Sequence, residues 1–203
     1  MAGAILDPKF AIICCAGSKA NFRYRTLEYF NVKFGMFFVR ARSELVDGIE
    51  LRGRSEFLRQ SKKSLELLKA SPQFEVIRAN VAIIRQGRRS GMRARAKKPT
   101  FVVGKKTWRH SVVWYAGAIA HDAYHAKLYR EAKEARGECE PEADAWTGAE
   151  AEKKCLAFQR DVMAQLNADP SAIAYLKTCE KNPTYQGRNR GWRGWLDYLK
   201  RQW

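Results

Sequence analysis

The sequence predicts an α+β fold with a small mixed sheet, and three patterns carry this prediction. Apolar side chains recur at helical spacing in residues 55–70 and 148–166. Short apolar runs at residues 74–85 and 101–104 have the length and the β-branched content of strands. A stretch rich in small residues at 114–129 is typical of a helix packed closely against its neighbours.

Composition and charge narrow the class of protein. Hydrophobic residues make up 46% of the 203 residues, which is typical of a folded globular chain. The net charge of +17 is uneven, since residues 1–110 hold 24 basic against 8 acidic side chains, residues 111–180 hold 8 against 12, and residues 181–203 hold 6 against 1. Such a positive charge favours a nucleic acid, an acidic partner or an anionic surface, and it has no bearing on catalysis.

The cysteines and the apolar runs indicate in which cellular compartment the protein is expected. The five cysteines are odd in number and form no C-x-x-C pair, so we expect free thiols rather than disulfides or a cysteine zinc ribbon. No apolar run approaches the roughly 20 residues that span a bilayer. The run at 10–16 is short and has no basic segment before it, so we do not interpret it as a signal peptide. The default expectation is a cytoplasmic protein without a membrane span.

Residues 1–54 are interpreted as an aromatic and basic extension whose strands pack on the main domain. The run at 10–16 is typical of a buried strand. Aromatic residues alternate with arginine and lysine at 22–38, a pattern that can serve base stacking on a basic surface. A pair of strands with apolar side chains inward and arginines outward is the favoured interpretation.

The middle of the chain supplies a helix, then strands, then the long helix. Ser55 is a plausible N-cap for the first helix, and Ser71-Pro72 ends it. The run at 74–85 predicts one strand, or two strands broken at Ala79-Asn80. A short strand at 101–104 follows, and Thr107 is the predicted cap of a helix over 109–135.

Spacing and capping signals also predict the helices that follow residue 135. An acidic loop at 135–147 leads to a helix over 148–166, and Asp169-Pro170 is typical of an N-cap followed by proline at the first helical position. Residues 181–203 form a basic tail rich in tryptophan, with a short helix expected at 192–201.

Two basic segments are candidate contacts for a nucleic acid or an acidic partner. From Arg85 to Lys98 the chain carries seven lysines and arginines separated by glycines, and we interpret it as a loop or a hairpin tip. The segment could bind phosphates through its charges, or it could equally be a turn that contacts only solvent. The second segment is the tail at 181–203.

The candidate chemistry centres on His121 and His125. Residues four apart on a helix lie on the same face, so these two imidazoles can bind one transition metal ion. Asp122 follows the first histidine directly, where a carboxylate can act on a metal-bound water. His110 lies eleven residues earlier, about 16 Å away along a helix, and is expected to be a cap or a surface residue.

A third protein ligand is expected from the following helix, because catalytic zinc sites usually have three. Glu150 and Glu152 point about 200° apart on a helical wheel, so only one of them can face the metal. Glu152 is preferred because it precedes Cys155, the start of the buried side, by three residues.

These residues resemble a known family. His121-Asp122-Ala123-Tyr124-His125 resembles the His-Glu-x-x-His helix of zincin metallopeptidases, and the segment from Glu152 to Cys155 resembles the Glu-x-x-Ala motif of the glutamate-liganded zincins, the gluzincins. The resemblance covers residues 55–180. It implies a zincin-like core, Zn²⁺ held by two histidines and a glutamate, and hydrolysis of peptide or protein substrates. In that core an edge strand beside the metal helix binds an extended substrate.

One position departs from the zincin motif, and two other functions remain open. Asp122 stands where zincins have glutamate; the resemblance makes it the general base, although its side chain is one methylene shorter. It could instead hold a histidine N–H or an arginine.

A phosphohydrolase of the His-Asp (HD) type would need Asp161 or Asp169 as a further ligand. A non-catalytic basic module that binds a nucleic acid or a protein partner is the other alternative.

Overall fold

The computed structural model describes residues 42–181, which form five strands and seven helices. The strands are β1 (Arg42–Val46), β2 (Ile49–Gly53), β3 (Ile83–Gln86), β4 (Gly91–Arg93) and β5 (Thr100–Val103). The helices are α1 (Ser55–Lys69), α2 (Phe74–Asn80), α3 (Lys105–His110), α4 (Val112–Ala135), α5 (Asp144–Thr147), α6 (Ala149–Gln165) and α7 (Pro170–Lys181). The strands predicted at 10–16 and 22–38 and the helix predicted at 192–201 lie outside these described residues.

The five strands form one open mixed sheet in the order β1-β2-β3-β5-β4. The three central strands are mutually parallel, and the two edge strands, β1 and β4, pair antiparallel with their neighbours. The predicted mixture of helices with a small mixed sheet is therefore confirmed. Strands β1 and β2 precede residue 55 and belong to the same sheet as β3, so the sheet begins before the segment that the zincin resemblance covers.

A two-residue turn fixes the register of the first hairpin. Val46 pairs with Ile49, and the two residues between them, Asp47 and Gly48, both have positive φ, 51° and 83°. That conformation suits a tight hairpin turn, and Asp-Gly is a preferred sequence for it because glycine adopts positive φ without steric cost.

Helix α4 lies between two apolar clusters. One cluster joins the central strands to α1, with Leu51, Phe57 and Phe101 all fully buried, and it includes Ile119 from α4. The other cluster joins α4 to α6 and α7. A helix packed on opposite sides needs apolar or small residues around most of its circumference, which explains the run of alanine and glycine through its first half.

Residues 74–80 form a helix, so the strand prediction is wrong there. Phe74, Ile77 and Val81 recur at spacings of three and four, and Ile77 and Val81 pack into the apolar cluster beneath the sheet. A helical spacing thus lies within a run that is also rich in β-branched residues. The strand predicted in this run begins only at Ile83 and continues through Gln86.

The predicted cap of the long helix is also wrong. Thr107 is buried within the short helix α3, where its hydroxyl bonds to that of Ser90. Ser111 separates α3 from α4, and its Oγ accepts a hydrogen bond from the Trp114 backbone N–H at 3.0 Å. At the first helix, Ser55 is the first helical residue and Arg54 occupies the N-cap position.

Two other helix predictions are confirmed. The Asp169 carboxylate accepts a hydrogen bond from the Ser171 backbone N–H at 2.7 Å, as an N-cap residue does, and α7 begins at Pro170. Helix α6 occupies 149–165, within a residue of the predicted limits. None of the helices in the described part of the chain is long and apolar enough to cross a membrane.

Candidate metal centre

The candidate site is built on two packed helices, α4 and α6. Their close approach depends on Gly117, because a Cβ atom at this position would overlap the Cγ and Sδ atoms of Met163. A glycine inside a helix costs about 1 kcal/mol relative to alanine. We infer that this cost is offset by the packing of α6 against α4, which brings the side chains of the two helices within bonding distance.

His121, His125 and Glu152 meet between these helices. The two histidine Nε2 atoms are 3.2 Å apart. Glu152 Oε1 lies 3.3 Å from His121 Nε2, and Glu152 Oε2 lies 3.2 Å from His125 Nε2. The two contacts are made by different oxygens of Glu152, so its carboxylate bridges the two imidazoles. Among the described residues, these three form the group whose ligand atoms, all within 4.8 Å of one another, could hold a metal ion.

The cluster is shielded from solvent. The exposed fractions of the side chains are 14% for His121, 9% for His125 and 1% for Glu152. Burial alone would raise the pKa of Glu152, but the two neighbouring imidazoles lower it below its usual range. A buried carboxylate that remains ionised needs a positive partner, either a protonated histidine or a cation.

A backbone hydrogen bond orients one of the histidines. His125 Nδ1 lies 2.7 Å from the carbonyl oxygen of Trp146 in α5. A carbonyl only accepts, so Nδ1 carries a proton, and Nε2 is the atom that faces His121 and Glu152; when the ring is neutral, Nε2 presents its lone pair there. This arrangement is the usual support for a metal-binding histidine.

Trp146 is itself held by three side chains, which we call the Trp146 brace: Arg95, Tyr129 and Glu140. The Arg95 guanidinium lies 5.4 Å from the centre of the indole ring, and the Tyr129 ring meets the indole edge to face at 5.2 Å. Glu140 joins the two, accepting bonds from the Tyr129 hydroxyl at 2.8 Å and from Arg95 at 2.6 Å. The basic segment and the acidic loop therefore meet next to the candidate metal centre.

Asp122 lies beside the cluster without belonging to it. Its partly buried carboxylate faces the backbone N–H of Met92 in β4, which donates to it. Burial raises the pKa of Asp122 to about 6, against the lowering influence of His121 and His125. A carboxyl group with a raised pKa is a better proton acceptor than an ordinary aspartate, as a general base requires.

Cys155 also contacts the cluster. Its thiol is fully buried and interacts with His125, and burial raises its pKa. The sequence marked Cys155 only as the start of the buried side of α6. Its position three residues after Glu152 places both side chains on one face of that helix, and this spacing could have indicated the contact.

The other candidates lie elsewhere. Glu150 is exposed and pairs with Lys153 at 2.7 Å, while the exposed His110 stacks on Trp114 at 5.2 Å. Asp161 pairs with Arg160 on the surface, and Asp169 caps α7. The ligand set of an HD-type phosphohydrolase is therefore not assembled within residues 42–181.

Sequence reasoning missed the groups that support the histidines. Met92 and Trp146 act through backbone atoms, which carry no side-chain signature. Arg95 was recognised only as one cation of a basic segment, and Glu140 only as part of an acidic loop. Their opposite charges could have suggested that the two segments meet, but not where.

Comparison with known proteins adds no family assignment. No protein-family model matches the chain, and neither the curated proteins nor the solved structures include a significant match.

Proposed function

We propose that this protein is a zinc-dependent metallopeptidase with a zincin-like core. His121, His125 and Glu152 would hold the ion, and Asp122 would serve as general base. The single observation that carries the proposal is the convergence of His121, His125 and Glu152, whose ligand atoms lie within 4.8 Å of one another, beside the carboxylate of Asp122.

The donor set suits a catalytic zinc ion better than a structural one. Two imidazoles and one carboxylate are a common ligand set of zinc hydrolases, and they leave a fourth position for water. When bound, zinc polarises a carbonyl oxygen and lowers the pKa of its water to about 7.

The chain's own residues supply the rest of the chemistry. The Trp146 carbonyl keeps the His125 Nε2 lone pair directed into the cluster. Asp122 accepts the proton of the attacking water, and the Met92 N–H holds its carboxylate in place. Because aspartate is shorter than the glutamate of zincins, this anchoring limits the positions its carboxylate can take.

The position of β4 supports a peptide substrate. β4 is an edge strand that pairs antiparallel with β5 and packs against α4 near Asp122. Within the described part of the chain its other edge has no partner strand. The zincin resemblance implies an extended peptide along this edge, where the Met92 N–H is already bonded to the Asp122 carboxylate.

Proteolysis by the reconstituted full-length protein tests the proposal. The protein, purified without a metal-affinity tag and loaded with zinc, should cleave unstructured protein substrates at internal peptide bonds, detected as new termini by mass spectrometry. A chelator should abolish cleavage, and Asp122→Asn should keep the zinc but lower kcat at least about 100-fold. A zinc-loaded protein that cleaves nothing, or an Asp122→Asn variant with unchanged turnover, would contradict it.

A basic binding module is the second candidate function, because six of the seven lysines and arginines from Arg85 to Lys98 are exposed and this segment borders the same site through Met92 and Arg95. Binding of nucleic acid that weakens steeply with salt and is unchanged by His121→Ala would favour it.

A further inference from the structure

The candidate metal centre is nearly closed to solvent. The side chains of its three ligands are at most 14% exposed. Helices α4 and α6 pack into the apolar clusters, and β4 is bonded into the sheet, so these elements are firmly held. Helix α5 also packs against both ligand-bearing helices. An ion that enters or leaves this site needs one of these neighbours to move, and the most weakly held one moves at the lowest cost.

The most weakly held neighbour is the stretch from residue 136 to residue 148, which contains α5 and which we call the α5 segment. Within it, Pro141 is the one buried residue, and α5 itself contributes none. The segment begins where Gly137 and Glu138 both have positive φ, 60° and 68°, and it ends at Gly148, directly before α6. Segments with few buried contacts open locally before the core does.

Glu140 ties the α5 segment to the rest of the described chain. Its carboxylate accepts a hydrogen bond from the Tyr129 hydroxyl of α4 at 2.8 Å and pairs with Arg95 at 2.6 Å. The Arg95 and Glu140 side chains are 57% and 52% exposed, and exposed ion pairs contribute little to stability. Glu142, by contrast, pairs with Arg136 within the segment itself. Glu140 therefore fastens the segment to its surroundings, and Glu142 does not.

Opening of the α5 segment would act on two ligands at once. The Trp146 carbonyl would leave His125 Nδ1, which it contacts at 2.7 Å. Gly148 would shift as well, and its carbonyl accepts the Glu152 backbone N–H at 2.9 Å in the first turn of α6. The segment thus contacts a histidine ligand directly and adjoins the turn that carries the glutamate ligand.

We propose that the α5 segment is a gate for the metal ion. It opens when Glu140 releases Arg95 and Tyr129, and it closes to orient His125 and Glu152 around the ion. The inference rests on the metal-binding part of the proposed function, because it concerns entry of the ion into that same site. Glu140 is a positioning residue that acts through the α5 segment and lies outside the ligand set.

The rate of zinc uptake by the metal-free, full-length protein, measured by stopped flow with a fluorescent zinc indicator, tests the gate. When a site must open before it binds, the observed rate levels off with rising zinc at the rate of opening. Glu140→Ala should raise this limiting rate about five-fold, because an exposed ion pair and a hydrogen bond no longer hold the segment closed. A residue that only supported the closed site would speed zinc release without speeding uptake.

Glu142→Ala is the matched control. It removes the same charge from the same segment and leaves the contacts of Glu140 with Arg95 and Tyr129 in place. The limiting rate should change less than about two-fold. Both substitutions are at exposed side chains, where folding is little affected.

Hydrogen exchange followed by mass spectrometry locates the motion. In the metal-free protein, the amides of residues 139–148 should exchange faster than those of α4 and α6 around the ligands. Glu140→Ala should speed exchange in this segment further, and zinc should slow it.

Three outcomes would overturn the inference: equal limiting rates in the wild-type protein and Glu140→Ala, an equal acceleration in Glu142→Ala, or exchange in residues 139–148 no faster than in α6. The proposals fail in different ways. One zinc ion bound per chain at the same rate in all three proteins would refute only the gate. The expected rate changes in a zinc-loaded protein that cleaves nothing would refute only the peptidase, and a protein that binds no zinc would refute both.

Discussion

At the scale of single residues, the candidate metal centre depends on how His125 is held. Its ring can turn about two side-chain bonds, and the 2.7 Å contact between Nδ1 and the Trp146 carbonyl restricts that freedom. Trp146 belongs to a helix of only four residues, too short to be stable alone. Contacts of the indole with Arg95 and Tyr129 therefore supply the rigidity that His125 needs.

Removing one part of the Trp146 brace should weaken metal binding without touching a ligand. Arg95→Ala breaks the contacts of Arg95 with the Trp146 ring and with Glu140, so the carbonyl that orients His125 becomes less fixed. We expect zinc affinity, measured by competition with a chromophoric chelator, to fall about ten-fold, as for other supporting partners of histidine ligands. Arg93→Ala is the control, because Arg93 has no contact with the brace; an equal loss in both variants would refute the role of Arg95.

At the scale of secondary structure elements, the ligands are divided between α4 and α6, so the distance between these helices sets the geometry of the site. Gly117 allows that distance, since it faces Met163 without a side chain of its own. A larger residue there separates the helices and draws Glu152 away from the histidines.

Gly117→Val should therefore lower both stability and zinc affinity. We expect the free energy of unfolding, measured in urea, to fall by about 1–3 kcal/mol through overpacking. Met163→Ala in the same chain makes room for the valine, so the cost of the double variant should be less than the sum of the single costs. Loss of stability with unchanged zinc affinity would show that the site does not depend on this contact.

The elements also show what the sequence could predict. The spacing of His121 and His125 and the one-sided apolar pattern of α6 were sufficient to predict that Glu152, and not Glu150, turns toward the histidines. The prediction failed at 74–80, where β-branched residues fit both a strand and a helix, and only packing, here against α4, decides. It also missed Trp146 and Met92, because their contributions come from backbone atoms positioned by distant parts of the chain.

At the scale of the whole described chain, the basic residues and the candidate metal centre come from different parts of the sequence and lie next to each other in the fold. The cluster of His121, His125 and Glu152 lies in the acidic part of the sequence, and the basic residues of 76–121 lie at the neighbouring edge of the sheet. The candidate metal centre is therefore a shielded cluster bordered by a segment of positive charge.

Zinc binding by two variants of α6 tests the central claim most directly. Glu152→Gln and Glu150→Gln make the same small change two residues apart, one at the buried cluster and the other at an exposed residue paired with Lys153. Glutamine has nearly the same shape as glutamate and is less costly to bury, so both variants should remain folded.

The account predicts that the wild-type protein and Glu150→Gln each bind one zinc ion per chain with the same affinity in calorimetric titration. Glu152→Gln should bind at least about 100-fold more weakly, because it loses an anionic ligand from the buried site. Equal zinc affinity in the two variants would contradict the account.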